Sequence, residues 1–157
     1  MELTAREDIE APLDAVFRAI SDFEGFERAI LRRGADVVRL DALTAPGVGM
    51  CWEVAFEYRK KRRKARVELV AFDRTGGLTM RGISAGVQAD FEVALVALSR
   101  ARTRMDVTAT LTPTTLPGRL LLQPLKLAHA TMTRRFRQRV AEFAGKVEDS
   151  YRKAALA

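Results

Sequence analysis

The sequence predicts an α+β fold: an antiparallel sheet of seven strands with one long C-terminal helix laid across it. Two observations carry this. From Ala35 to Thr112 apolar residues recur with a period of two, in segments separated by short turn-rich breaks. Beyond Pro117 the period changes, and Leu125, Met132, Phe136, Val140, Phe143, Val147 and Tyr151 recur at steps of three, four and seven. At about 100° per residue these side chains form one stripe of a helix. Arg134, Arg135, Arg137, Arg139, Glu142, Lys146 and Glu148 fill the intervening positions. The helix therefore has one apolar face, and the sheet is the only partner available to cover it.

Taken in order, residues 2–10 alternate as a half-buried strand, with Leu3, Ala5 and Ile9 on one face and Thr4, Arg6, Asp8 and Glu10 on the other. Glu7 falls on the otherwise apolar side. Pro12 suits the first turn of a helix whose buried side is Ala15, Val16, Ala19 and Ile20. Ser21 or Asp22 caps a second short helix carrying Phe23, Phe26, Ile30 and Leu31, and Gly34 stands where that helix should end. Val38 and Leu40 mark a short strand, followed by the turn-rich Thr44–Gly49. Met50, Trp52, Val54, Phe56 and Tyr58 alternate in the next strand. The basic segment 59–66 supplies the reversal, and Val67, Leu69 and Ala71 lead on to Gly76-Gly77. Leu78, Met80 and Gly82 mark a further strand, Val87, Ala89, Phe91, Val93 and Leu95 another, and Met105, Val107, Ala109 and Leu111 the last. Short reversals between neighbours mean antiparallel pairing.

A chain of 157 residues with 48% hydrophobic and 30% charged residues reads as a single domain over 1–157 with one sizeable core. No apolar run approaches the roughly 20 residues that span a bilayer. The acidic start, Met1-Glu2-Leu3-Thr4-Ala5-Arg6-Glu7-Asp8, lacks the positive charge of a secretory signal, so a cytoplasmic location is expected. The lone Cys51 excludes an internal disulfide and a cysteine-based metal cage. Arg outnumbers Lys 21 to 6 and Ala is abundant, a usage associated with GC-rich bacterial genomes. The net charge of +7 is unevenly placed: residues 59–66 alone contribute seven cations and the segment from 116 onward nine, while 1–58 is net acidic.

Ile9-Glu10-Ala11-Pro12-Leu13-Asp14-Ala15-Val16-Phe17, then Ile20-Ser21-Asp22-Phe23-Glu24-Gly25-Phe26, the Gly49-x-x-Trp52 step and the terminal helix together resemble the START-like superfamily, in particular the polyketide cyclase/dehydrase type of SRPBCC protein. The resemblance covers essentially the whole chain. It implies a helix-grip: a strongly curved seven-stranded sheet wrapped around the C-terminal helix, with an elongated apolar cavity between them. It also implies ligands such as lipids, sterols, quinones, polyketides or plant hormones, and for some members cyclisation or aromatisation chemistry. Fold alone does not choose among these.

Within that frame Trp52, Phe56, Tyr58, Met80, Phe91 and Met105 are the large inward candidates. Leu69, Val93 and Val107 share their strand faces, and Leu125, Met132 and Phe136 come from the helix stripe. His129, the only histidine, sits about 40° round the helix from Leu125, inside the stripe. It reads either as a polar handle or proton donor to a ligand, or as a rim histidine satisfied by one backbone or carboxylate partner. Glu7, if the strand's period holds, needs a partner such as His129 or an arginine; if the strand frays, it is simply solvated. Tyr58 carries a hydroxyl that wants a hydrogen bond when buried. The segment 59–66 reads as a solvated hairpin end that discourages edge association, the alternative being contact with anionic lipid headgroups or nucleic acid. No aromatic residues are interleaved with its charges to stack bases.

No nucleophile elbow, phosphate loop or metal-ligand cluster is present in the sequence, so neither a cofactor nor a metal is expected. The favoured function is non-catalytic binding or transport of a hydrophobic small molecule. The alternative is a cyclase/aromatase-like enzyme using the same cavity, with His129 or Tyr58 moving protons.

Overall fold

The computed structural model describes residues 1–157. Alternation becomes strand and the longer period becomes helix in the order β1 (Glu2–Ile9), α1 (Leu13–Ile20), α2 (Phe23–Arg32), β2 (Asp36–Arg39), β3 (Cys51–Tyr58), β4 (Lys61–Asp73), β5 (Gly77–Ser84), β6 (Val87–Ser99), β7 (Arg102–Pro113), α3 (Leu116–Leu127) and α4 (His129–Leu156). The seven strands form one antiparallel sheet in the order β1-β7-β6-β5-β4-β3-β2. The register shifts between Leu69 and Ala71 and again between Ala97 and Ser99. Each extra residue bends its strand and raises the local twist, which helps the sheet curve. Asp22 caps α2 by accepting from the Gly25 amide at 3.1 Å, and Gly34 follows the helix with φ +86°.

The concave face carries the core. Ile9, Val16, Leu69 and Met105 are almost completely inaccessible, and Val140, Ala144 and Val147 of α4 join the same cluster. Helix α4 lies along β1. There it also satisfies the free edge of that strand, since Arg137 Nε donates to the Thr4 carbonyl at 3.0 Å and the His129 Nε2 hydrogen bond reaches the Glu2 carbonyl at 2.9 Å. Glu148 Oε1 accepts from the Glu10 amide at 2.9 Å just beyond the strand. Carbonyls left unpaired at a sheet edge are thereby covered by one helix.

Three sequence expectations are corrected. The terminal segment is two helices rather than one. Pro124 has no amide to give the Leu120 carbonyl, and α3 closes at Ala128, whose amide lies 3.2 Å from both the Pro124 and Leu125 carbonyls. The stripe drawn from Leu125 through His129 to Met132 therefore crosses a break. Second, the basic segment is mostly strand. Arg59 and Lys60 alone make the turn, both with positive φ (54° and 60°), and Lys61–Arg66 open β4. Its charges are tolerated there because carboxylates remote in sequence meet them: Arg62 pairs with Asp36, and Lys64 Nζ lies 3.2 Å from Glu53. Third, in β2 it is Val37 that faces inward, while Val38 and Leu40 are exposed. Four residues carry too short a period to set the face from sequence.

Helix α3 is tied down at its start. Thr115 caps it by accepting from the Gly118 amide at 3.1 Å, and the Thr114 amide donates to the Gly86 carbonyl at 2.7 Å. Backbone passes so close that a Cβ on Gly118 would stand 2.0 Å from the Gly86 carbonyl oxygen.

Candidate functional site

Directly opposed residues of an antiparallel pair project to the same side of the sheet. The register therefore aligns three inward rows: Trp52, Val67, Gly82 and Ala89; Leu69, Met80, Phe91 and Ala109; and Leu78, Val93, Val107 and Ala5. Between these rows and the helices lies a cavity of about 540 Å³. Its floor is Val37, Trp52, Val54, Val67, Leu78, Met80, Phe91, Val93, Met105 and Val107. Its roof is Ile20, Phe23, Phe26, Glu27 and Ile30 from the α1–α2 side and Phe136, Arg139, Val140 and Phe143 from α4. Phe26 and Phe91 are each 39% exposed, so the cavity opens to solvent past an aromatic rim.

Aromatic contacts brace this space. Phe23 packs on Trp52 with ring centroids 5.5 Å apart, and Phe26 meets Phe143 across α2 and α4 at 6.2 Å. Trp52, 4% exposed, donates from Nε1 to Glu27 Oε1 at 2.8 Å. The Arg39 guanidinium carbon sits 5.6 Å from the Trp52 ring centroid. Arg39 is itself fixed by Asp41, whose carboxylate also accepts from the Leu43 and Cys51 amides at 2.9 and 2.8 Å. The Arg39 hydrogen bond, and then those amides, hold the Asp41 carboxyl well below the usual carboxylate range against the opposing effect of desolvation. Arg39 is raised in turn, chiefly by that same hydrogen bond.

Of the residues singled out from the sequence, Trp52, Met80, Phe91, Val93, Met105, Val107 and Phe136 come together in the lining. The others lie elsewhere. Leu69 is fully buried in the core. Phe56 and Tyr58 keep the inward parity of β3 but stand towards its hairpin end, where the guanidinium carbons of Arg59 and Arg63 are 5.6 and 5.7 Å from the Tyr58 ring. Leu125 belongs to α3, and Met132 to the first turn of α4 outside the lining. His129 is exposed on the β1 edge and does not point into the cavity, because the helix break resets the rotation on which that expectation rests. Glu7 does keep the inward face, opposite Met105, with no bulge in β1. It is half-buried in a polar groove with Thr4, Arg6 and Arg137 and forms no pair with His129.

The residues missed by sequence reasoning are Glu27 and Arg139, the two charged members of the lining. Each left a signal. On α2, Glu27 sits about 40° from Phe23 and so lies inside the apolar stripe. Arg139 flanks the Phe136–Val140–Phe143 stripe, about 40° from Phe143. Glu27 retains a second carboxylate oxygen beyond its bond to Trp52, and Arg139 forms no ion pair. Chemically the site can enclose an apolar body and offer one acceptor and one cationic donor. No group of three potential metal-ligating side chains comes together anywhere in the chain.

No protein-family model and no curated protein matches the sequence. Solved structures do match the fold. The Zhui aromatase/cyclase from Streptomyces sp. R1128 is similar with a TM-score of 0.67 and 13% identity, over 94% of this chain and 93% of that one. The Thermus thermophilus protein TTHA0849 aligns with a TM-score of 0.64 and 18% identity, over 96% of this chain and 99% of that one. A norcoclaurine synthase point mutant from Thalictrum flavum, in complex with a transition-state analogue, aligns with a TM-score of 0.64 and 13% identity, over 97% of this chain and 96% of that one. At such identities the likeness is one of architecture. The curved seven-stranded sheet, the two short helices after β1 and the long terminal helix make this a helix-grip fold, the architecture it shares with these solved structures.

Proposed function

We propose that this protein binds a hydrophobic small molecule, of the lipid, isoprenoid or polyketide-like class, in the cavity between sheet and helices, with the ligand's polar end met by Glu27 and Arg139. One observation carries the proposal: 17 of the 19 residues lining the 540 Å³ space are hydrophobic, and the two that are not carry opposite charges. Ligand cavities generally combine such a wall with a few placed polar groups, within about 300–1,000 Å³. About ten buried methylenes at about 0.8 kcal/mol each would supply roughly 8 kcal/mol before ordering costs. The polar pair then sets which way round the molecule enters. An anionic head would meet the unpaired Arg139, and a hydroxyl would reach the free oxygen of Glu27.

The experiment is native mass spectrometry of freshly purified protein, followed by titration with a pyrene-labelled fatty acid and its methyl ester. A co-purifying adduct and saturable binding of both probes are expected. Arg139→Ala should weaken the acid about fivefold, as for a partly exposed charge pair worth about 1 kcal/mol, and leave the ester unchanged. A protein that takes up neither probe overturns the proposal.

A second reading is enzymatic, favoured by structural neighbours that include an aromatase/cyclase and a norcoclaurine synthase. In that reading Glu27 is the group in the lining able to move a proton, since arginine stays protonated at neutral pH. Glu27→Gln keeps an acceptor for Trp52 Nε1 while removing that capacity. Turnover lost with binding retained would mark the enzyme.

A further inference from the structure

We infer that the outer face of α3 is a docking surface for an anionic lipid bilayer. Helix α3 is apolar on both sides. Leu122 is buried at 2% exposure, whereas Leu116, Leu120 and Leu127 are 72%, 65% and 92% exposed. At about 100° per residue those three leucines fall within about 40° of arc, an outward apolar face that the exposed Gln123 interrupts between Leu120 and Leu127. Arg119 and Lys126 border it on one side, about 60° and 80° from Leu116. Long cationic side chains beside an outward apolar stripe suit a headgroup layer, where the stems lie along hydrocarbon and the charges reach phosphate.

Charge complementarity selects an anionic partner. No acidic residue occurs between Asp106 and Glu142, while Arg119, Lys126, Arg134 and Arg135 fall in that interval and are exposed. A second copy of the chain fits poorly. A face about 18 Å long and 10 Å wide offers roughly 200 Å², against about 800 Å² per partner in a stable interface. A two-fold contact would also set Arg119 and Lys126 against their own copies. The Gly86–Gly118 interlock and the Thr115 cap present the stripe on a fixed element.

The test is co-sedimentation with vesicles of phosphatidylcholine alone or mixed equally with phosphatidylglycerol, at low and high salt. The wild-type chain should sediment with the mixed vesicles at low salt and be released at high salt. Leu116→Ser/Leu120→Ser/Leu127→Ser should lower the bound fraction at least tenfold with an unchanged unfolding midpoint, since all three side chains already face solvent. Arg119→Gln/Lys126→Gln should lower it severalfold, and Val67→Trp inside the cavity should leave it unchanged, which separates this surface from ligand binding. Wild-type protein that ignores mixed vesicles overturns the inference, as does a triple-serine variant that still binds. Loss of binding in Arg62→Gln/Lys64→Gln but not in the triple-serine variant would move the contact to the β3–β4 hairpin and overturn it. So would a wild-type dimer that the triple substitution converts to monomer, because the stripe would then cover a second copy.

Discussion

The same concave sheet face is finished in two different ways at its two ends. Along β1, Leu3 and Ile9 are buried, and α4 lies along that strand with Ala144 and Val147 buried outside the cavity lining. Towards β3, β4 and β5, Val54, Val67 and Met80 are only partly covered and line open space. Side-chain size on the helices accounts for the contrast. Ala144 and Val147 let α4 approach the sheet, whereas Phe26, Phe136 and Phe143 stand between helix and sheet, with Phe26 and Phe143 bracing α2 against α4. A cavity here is maintained by aromatics that contact one another across it, while the other end is closed by residues small enough to fit.

Two substitutions break that contrast if it is wrong. Ala144→Leu, at the closed end, should destabilise by about 1–3 kcal/mol, the cost of overpacking a filled site. Val67→Trp, at the open end, should cost less stability, under about 1.5 kcal/mol, but weaken the pyrene fatty acid at least about tenfold by occupying its volume. Denaturant titration and probe fluorescence read the two effects separately. An Ala144→Leu protein as stable as the parent would mean the closed end has slack, and unaltered probe binding in Val67→Trp would empty the cavity of its assigned role.

A smaller effect sharpens the comparison through acid. Each end has a carboxyl held below its ordinary value of 3.8: Asp8 chiefly by the Arg104 hydrogen bond, and Asp41 chiefly by that of Arg39. The folded state therefore binds fewer protons than the unfolded chain as pH falls below about 5, so stability present at neutral pH is lost on acidification through the folded values. Both Asp8→Asn and Asp41→Asn should flatten this acid slope. Only Asp41→Asn should also weaken the probe, because Asp41 fixes the arginine that backs Trp52. Equal effects on the probe would remove the distinction between the two ends.

Much of this architecture is legible in the sequence because burying one sheet face forces strict alternation, and burying one helix face forces the longer period. What alternation reports is a face, never a depth. Phe56, Tyr58 and Leu69 therefore share the parity of cavity residues without lining the cavity. Seven cations in eight residues resemble a solvated loop, since the carboxylates of Asp36 and Glu53 that neutralise two of them lie on other strands. Pro124 is plain in the sequence, but a helix can pass through a proline in its last turns, and the break falls four residues later at Ala128. Glu27 is readable as a carboxylate inside an apolar stripe. Its meaning depends on Trp52, which reaches it from another element.

The smallest expected effect concerns His129, whose sequence position within the stripe points inward and whose side chain instead meets the β1 edge. Its contact to the Glu2 carbonyl requires the proton on Nε2, and an exposed hydrogen bond of this kind contributes about 0.5 kcal/mol. His129→Ala should therefore shift stability by no more than about 1 kcal/mol while raising amide exchange over the first residues of β1, where the edge loses one of its two helix-borne donors. Affinity for the pyrene fatty acid should stay within about twofold, a change below about 0.5 kcal/mol. A tenfold loss with normal exchange at β1 would place the imidazole on the ligand and reassign the rim of the cavity to the start of α4.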